Sequence, residues 1–346
     1  MSLNGAIMEK ILTVVVPTYN VEKYLEECLS SFALPKWKEK LDVLIVDDGS
    51  TDHSSEIAEK FVRDMPEIFR VIHKENGGHG STINCGLQAA VGKYFKVVDS
   101  DDYVKKVPFE NLMQCLSVTQ SDLVVTNYYW LADGTNRVKA EREHPFQNVE
   151  YGREYRFSEI GKDAYFKMHA VTFKTELLRT HMPQLDEHCY YVDMEYVLFP
   201  IPYIETVTCL DEYVYRYRIG LPTQSMNLKG MQRHEENFDR VLNRLFEYYI
   251  EQREKGIAQY YLNYIENILA RMVTSRFKIF LSYPISREQR KKMMQFDRMV
   301  KKEYPVIYGK VTNKAVRMLR ASSCSLYPAA KLVFDISERW KSRWMH

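Results

Sequence analysis

Apolar runs of five to six residues recur through the first hundred positions, and each stops abruptly at charge or glycine. Ile11 to Val16 is a continuous, mostly β-branched run that ends at Pro17-Thr18-Tyr19-Asn20. Such runs, short and largely apolar, read as strands buried on both faces. Val21, Tyr24, Leu25, Cys28, Leu29 and Phe32 then recur at helical spacing. A second run, Leu41 to Val46, breaks at Asp47-Asp48-Gly49-Ser50-Thr51-Asp52. Ser50, Thr51 and Asp52 are all good N-caps for a helix with Ile57, Phe61 and Val62 on its inner face. Arg70 to His73 reads as a third strand, and Gly77-Gly78-His79-Gly80 leads into a helix through about Ala90. Gly92-Lys93 turns the chain into a fourth strand, Tyr94 to Val98. This alternation predicts a parallel sheet covered by helices on both faces. Asp47, Asp48, Asn76, Asp99 and Asp101 all follow strand ends and are expected on one rim. Open α/β sheets bind ligands there, beyond the strand C-termini.

The pattern loosens afterwards. Leu123 to Trp130 reads as a strand, and Ala132 to Glu159 as a hairpin and surface loops with a turn at Asp133-Gly134. His169 to Lys174 predicts a strand leading into a short helix at Leu177-Leu178. Tyr190 to Glu195 is followed by apolar Tyr196 to Ile201, and Tyr213 to Arg218 alternates as a strand does. From about Asn227 the period becomes helical: Phe238, Val241, Leu242, Leu245 and Tyr249, then Tyr261, Leu262, Ile265, Ile268, Leu269 and Met272. These predict two long helices joined near Gly256 and ended by Pro284, after which Ser286 and Gln289 resemble a capping box. The domain boundary is expected near residue 226, with a helical region over 227–346.

Composition narrows the class. A chain of 346 residues with 45% hydrophobic content is long enough for two domains, or one with an extension. The net charge of +2 does not call for nucleic acid, but it conceals an asymmetry: 301–346 carries +7 and the remainder −5. Six scattered cysteines, Cys28, Cys85, Cys115, Cys189, Cys209 and Cys324, include no CxxC pair and read as reduced, buried thiols. With no signal peptide and no apolar run of about 18 residues, a cytoplasmic protein is expected. Val333, Ile336, Trp340 and Trp344 fall on one helical face, with Lys331, Arg339, Lys341 and Arg343 largely elsewhere. Two readings stand for that tail: peripheral association with the inner face of the plasma membrane, or a helix docked on the helical region with its basic face in water.

The chemistry concentrates at Lys96 to Val104, KVVDSDDYV, where Val97 and Val98 run into Asp99, Asp101 and Asp102. On an extended chain Asp99 and Asp101 share a face, and their repulsion is relieved by a hard cation such as Mg²⁺. The alternative is an acidic turn that caps a helix. Asn76 to Asn84 is rich in glycine yet lacks the GKS or GKT of a P-loop, which rejects an NTPase.

Four ordered stretches, VVVPTYN (14–20), VDDGSTD (46–52), NGGHGSTINCG (76–86) and VVDSDDY (97–103), closely resemble the family-2 glycosyltransferases. The resemblance covers about the first 225 residues. It implies a GT-A fold: a Rossmann-like nucleotide-sugar domain over 1–226, its nucleotide-binding half about 9–105 and its acceptor half about 106–226. It implies inverting transfer of a sugar, with a UDP-hexose as the expected donor and a glycan or lipid-linked sugar as the acceptor. Pro17, Tyr19, Asp47 and Asp48 would hold the nucleoside, and Asn76 and Gly78 would pass beneath the donor. Asp99-Ser100-Asp101 matches the DxD motif, with Asp101 and then Asp99 as ligands of Mn²⁺ or Mg²⁺, Asp99 contacting the ribose or a metal-bound water; Asp102 would cap the next helix. His79 is either a loop histidine or a contact to phosphate or metal.

The resemblance assigns the general base to Asp193 in YYVDMEYVLFP. Val192 stands where the family usually has Glu, which leaves Glu195 as a rival. Tyr213 to Met226 matches the segment beyond the base, so Arg216, Arg218, Gln224 and Ser225 are candidates for diphosphate or acceptor, Arg218 foremost; His169 would lie on the acceptor side. Two rivals remain. A nucleotidyltransferase shares the core, but PTYN stands where it usually has a glycine- and arginine-rich loop. A binding subunit that has lost catalysis is the other.

Overall fold

A computed structural model describes residues 10–133, 138–142, 149–161, 164–220 and 228–345. Two compact units divide the chain, 1–219 and 220–346.

The first unit is built on one sheet of ten strands. They are β1 (Leu12–Thr18), β2 (Leu41–Asp47), β3 (Phe69–His73), β4 (Tyr94–Val97), β5 (Tyr103–Val104), β6 (Leu123–Ala132), β7 (Val138–Arg142), β8 (Glu154–Arg156), β9 (Val171–Lys174) and β10 (Thr206–Ile219). The main path runs β3-β2-β1-β4-β9-β6-β10-β5, with β7 beside β6 and β8 beside β10. β3, β2, β1 and β4 are mutually parallel. Every residue of β1 and β2 is buried, so neither strand alternates. The helices are α1 (Glu22–Ser30), α2 (Ser54–Asp64), α3 (His79–Ala89), α4 (Lys106–Val118), α5 (Phe157–Ile160), α6 (Thr175–His181) and α7 (Asp193–Leu198). The turn into β4 requires Gly92, because a Cβ there would lie 2.3 Å from the Thr13 backbone nitrogen.

β9 runs antiparallel to both β4 and β6, and β6 is again parallel to β10. The sheet is therefore mixed but mostly parallel, as the family resemblance implies. Three elements differ from the sequence expectations. Residues 168–170 form a 3₁₀ turn, so the strand expected from His169 starts only at Val171. β10 reaches back to Thr206, because its pairing with β6 shifts register between Cys209 and Tyr215. Asp211-Glu212 sits in that irregularity, where charge is tolerated at a bulge but reads as a strand break. α4, expected directly after Asp102, begins only at Lys106, because Tyr103 and Val104 first pair with β10 as β5; Pro108 lies in its first turn, where proline costs no helical hydrogen bond.

The second unit is helical: α8 (Leu228–Arg233), α9 (Glu235–Glu254), α10 (Gln259–Ser282), α11 (Arg287–Glu303), α12 (Pro305–Lys310), α13 (Lys314–Ala321) and α14 (Tyr327–Met345). α9 and α10 pack through the apolar stripes seen in sequence, including Val241, Leu242, Leu245, Ile265 and Leu269, all fully buried. Gly256, between them, adopts a left-handed φ of +68°. The Ser286 hydroxyl accepts from the Gln289 backbone N–H at 3.0 Å, but the Gln289 carboxamide oxygen is buried without a partner among the described residues. Only half of the expected capping box forms. On α14, Tyr327 and Phe334 are buried while Leu332, Val333 and Ile336 face solvent.

Candidate active site

Beyond β4 the chain makes a tight turn through Asp99, Ser100, Asp101 and Asp102, and β10 holds it from the far side of the sheet. The buried Asp102 carboxylate accepts from the Tyr215 hydroxyl at 2.8 Å and from the Arg218 backbone N–H at 2.7 Å. It caps no helix: Lys105 occupies the N-cap position of α4, with no side-chain cap bond. The expectation for Asp102 is corrected accordingly; it anchors the acidic turn. The Asp99 N–H donates to the Tyr215 oxygen at 3.1 Å. Arg218, itself buried, donates to the Asp101 carbonyl and to Glu27, between the rings of Tyr24 and Tyr103. Ser100 is buried within the turn.

The remaining carboxylates of the turn are set differently. Asp99 Oδ1 lies 2.9 Å from His79 Nε2, at the first residue of α3. The Asp101 side chain has no hydrogen-bond partner on another described residue. Burial, reinforced by the charge of Asp99, pushes its carboxyl up to about 6. Burial also raises Asp102 well above the usual range, with Asp101 and Asp99 adding to it. Burial pulls the other way on His79, but its bond to Asp99 and the charges of Asp99, Asp193 and Asp101 prevail and raise it. One imidazole and several acids thus share a single electrostatic neighbourhood.

Asp193 belongs to that neighbourhood. It is the first residue of α7 and makes no capping bond there. Burial raises its carboxyl, opposed by Lys167 and His79 and assisted by Asp99. Glu195 is different: it is fully buried, and its Oε2 accepts from the Asp186 backbone N–H at 2.9 Å. It fastens the loop that precedes α7. That loop is also tied to the glycine-rich segment. Asn84 exchanges two hydrogen bonds with the Leu185 backbone, at 2.9 and 3.0 Å, and the His188 N–H donates to the Gly77 carbonyl at 2.6 Å. His188 and Tyr191 adopt left-handed φ of +49° and +69°. Strained non-glycine backbone of this kind persists only where its surroundings enforce it.

At the other end of the rim, Pro17 is buried at the end of β1, and Tyr19 beyond it is exposed. Asp47 and Asp48 are both buried and both engaged by protein. Asp47 accepts from the Ser50 N–H at 3.0 Å and from the Ser55 hydroxyl, and lies 2.9 Å from His73 Nδ1. Asp48 accepts from Lys74 Nζ at 2.8 Å and from the N–H groups of Gly77 and Gly78 at 2.9 and 2.7 Å. Asn76 donates to the Asp48 carbonyl at 3.1 Å. Gly78 has a φ of +82°, and a Cβ there would lie 3.1 Å from the His188 nitrogen, so glycine is required. Lys74 escaped the sequence analysis, since one lysine before a glycine run carries no signal by itself.

Of the acceptor-side candidates, Arg216 donates to the Tyr213 carbonyl at 3.0 Å and covers the Tyr129 ring at 4.3 Å. The His169 ring packs against Tyr128, Tyr215 and Tyr217, and burial holds it well below the usual histidine range. Gln224 and Ser225 lie outside the described residues. The structure thus brings Asp99, Asp101, Asp193 and His79 together, sets His169 behind them, and turns Arg216 and Arg218 onto protein partners.

Comparison with known proteins agrees with this geometry. Residues 13–181 match the family described as "Glycosyl transferase family 2". The chain is similar to glycosyltransferase GlyG of Streptococcus pneumoniae serotype 4, with 42% identity over 123 residues, 35% of this chain and 40% of that protein. It is also similar to the uncharacterized glycosyltransferase EpsJ of Bacillus subtilis (strain 168), with 32% identity over 222 residues, 61% of this chain and 62% of that protein. The chain therefore spans less than two thirds of either relative. Its fold matches the crystal structure of S. aureus TarS 1-349 in complex with UDP-GlcNAc at a TM-score of 0.65 and 19% identity, covering 94% of this chain and 92% of that one. With the motifs in order and the acids on one rim, residues 13–181 form a domain of glycosyl transferase family 2.

Proposed function

We propose that the protein is an inverting glycosyltransferase that moves a hexose from a UDP-sugar to a hydroxyl of a glycan or lipid-linked acceptor. The gathering of Asp99, Asp101, His79 and Asp193 on the rim of a mostly parallel sheet carries this reading. The bound UDP-GlcNAc of the similarly folded TarS supports a UDP-sugar as donor.

Asp193 is the general base. Burial raises its proton affinity toward the range useful near neutrality. The acceptor oxygen attacks the anomeric carbon, its proton passes to Asp193, and the bond from that carbon to the diphosphate oxygen breaks with its electron pair leaving on UDP. One displacement from the opposite face inverts the centre. Glu195 is a poor base, because it is buried and already bonded to the Asp186 backbone. Asp48 shapes the floor beneath the donor by holding the N–H groups of Gly77 and Gly78.

A divalent cation, Mn²⁺ or Mg²⁺, fits Asp101 with Asp99. The Asp101 carboxylate has no hydrogen-bond partner on another described residue, and its charge is opposed by burial and by Asp99. Among the described residues no three acids, histidines or cysteines are grouped to hold a metal by themselves. Mg²⁺ commonly takes one or two carboxylates and completes its shell with substrate phosphates and water. When bound, such an ion steadies the charge that grows on the leaving diphosphate.

The test is Asp193→Asn in the full chain. UDP affinity should stay within about twofold, while transfer falls by about 10²–10⁴-fold. Transfer at the wild-type rate removes Asp193 from the role. Loss of transfer by Asp101→Asn without any change in its Mn²⁺ dependence would remove the metal from Asp101.

Peripheral association with an anionic membrane belongs to the same reading. Leu332, Val333 and Ile336 of α14 and Met318 of α13 are exposed apolar side chains, with Lys314 and Arg317 exposed nearby in sequence. Exposed apolar residues in a strongly basic segment suit a lipid interface better than water. No helix among the described residues is long and apolar enough to cross a membrane.

A further inference from the structure

Lys96 is a lysine in the middle of the sheet, on β4 between parallel β1 and antiparallel β9, fully buried and without a carboxylate partner among the described residues. Its Nζ donates to the carbonyls of His169 at 2.9 Å and Val171 at 3.2 Å, and lies 5.9 Å from the centroid of the Tyr215 ring. These carbonyls belong to the 3₁₀ turn 168–170 and the residue that follows it. β4 pairs with β9 only through Tyr94 and Phe95. Lys96, the next residue, reaches across with its side chain where that ladder stops. An apolar residue would pack there at lower cost, but it would leave two buried carbonyls without this donor. Lys96 therefore fixes where the His169 turn sits.

The turn carries an aromatic plate. The His169 ring makes no hydrogen bond to a described residue, and its Nε2 is buried without a partner. It is held instead by rings: Tyr128 edge-on at 4.0 Å, Tyr215 at 5.2 Å, and Tyr217 stacked at 5.2 Å with 23° between planes. Tyr215 and Tyr217 share one face of β10, two residues apart. Tyr215 is buried and bonded to Asp102. Tyr217 is only partly buried, and its hydroxyl has no hydrogen-bond partner among the described residues. Burial opposes ionisation of its phenol, and so do the charges of Asp102, Asp99, Asp101 and Asp193. A phenol that stays protonated among those acids remains a hydrogen-bond donor at every physiological pH.

We infer that Tyr217, backed by His169, is the wall against which a pyranose ring lies at the acidic turn, and that Lys96 is the positioning residue that holds this wall. The inference rests on the glycosyltransferase reading and names the feature that recognises sugar rather than nucleotide. The chemistry is that of a sugar site: the partly exposed aromatic ring takes the apolar C–H face of the pyranose, while the phenol donates to one of its hydroxyls. The pyranose can be the donor's hexose or the acceptor's terminal sugar, and the test has an arm for each.

The full chain is titrated with UDP, then with UDP-glucose, UDP-galactose, UDP-GlcNAc and UDP-GalNAc in the presence of Mn²⁺. The acceptor arm reads saturation transfer from protein to methyl β-glucopyranoside, methyl β-galactopyranoside and N-acetylglucosamine with UDP bound. Tyr217→Ala should leave UDP affinity within about twofold and weaken one sugar arm at least tenfold; Tyr217→Phe should recover part of that loss by restoring the ring. Lys96→Met should weaken the same arm as Tyr217→Ala, again at unchanged UDP affinity, a sugar-selective loss that general destabilisation does not produce. Wild-type affinity in both arms for a Tyr217→Ala protein that binds UDP normally overturns the inference alone. A wild-type protein that binds no UDP overturns the glycosyltransferase reading and this inference with it.

Discussion

Lys96 shows how much one residue inside a strand can determine. An ammonium with no counter-ion in a sheet core is costly, and burial lowers the group from 10.5 to about 7. Below about pH 7 both the folded and unfolded chains carry the proton, and the burial penalty is fully present. Between about 7 and 10.5 the unfolded chain binds a proton that the folded chain does not. The contribution of Lys96 to stability therefore rises with pH across that window, by about 1.4 kcal/mol per pH unit at most. Urea unfolding at pH 7, 8 and 9 should show a rising component in the wild type that Lys96→Met removes. Parallel pH profiles for the two proteins would assign the slope to other groups. Asp102 teaches a related lesson. DSDD presents three equivalent acids, and only the partners Tyr215 and Arg218, more than a hundred residues away, single out the third as the anchor.

Among elements, the glycine-rich segment and the loop before α7 act as one body. Gly77, Gly78 and Gly80 press against Ser81, His188 and Asp186, and Asn84 stitches the two segments together. A Cβ on Gly80 would fall 2.1 Å from the Asp186 carbonyl oxygen, which is backbone and cannot rotate away. Gly80→Ala should displace the loop that leads to Asp193 and destabilise the fold by about 1–3 kcal/mol, as overpacking does elsewhere. Transfer should fall more than UDP affinity, since the strain reaches the base before the nucleoside end of the rim. Equal losses in both, measured by turnover and by UDP titration, would count against that coupling. β10 is the second such element. One strand carries Tyr215, Tyr217 and Arg218, and so secures the acidic turn while supplying the pyranose wall.

At the scale of the whole chain, charge and apolar exposure are distributed unevenly. The segment 301–346 holds +7 against −5 elsewhere, and α14 turns Leu332, Val333 and Ile336 to solvent. The full chain should float with vesicles of phosphatidylcholine and 30% phosphatidylglycerol, and far less with phosphatidylcholine alone. Binding should weaken steeply between about 50 and 300 mM salt, because the Debye length shortens more than twofold over that range and screens the basic segment from the anionic surface. Val333→Asp with Ile336→Asp should abolish flotation and leave UDP affinity intact. Concentration-dependent dimerisation that these same substitutions abolish, without flotation, would assign the face to a second copy of the chain instead.

The sequence by itself determined the parallel half of the sheet, the placement of acids after its strands, the long helices α9 and α10, and the family. Those features are local or periodic: an apolar run ending in charge, a 3.6-residue stripe, a motif of adjacent residues. Tertiary structure alone decided which acids remain available. Asp47 and Asp48 look like ligands in sequence, yet the nearby Ser50 and the remote His73, Lys74 and Gly77 hold them in the fold. Glu195 and Asp193 are two residues apart and chemically alike; burial and one hydrogen bond from Asp186 separate them. Tyr217 and Lys96 carried no role in the sequence and His169 only an acceptor-side one by resemblance, because a stack of rings across three segments has no spacing to read. A hydrogen bond or a ring contact between remote residues depends on where the chain returns in space, and one-dimensional pattern holds no record of that return.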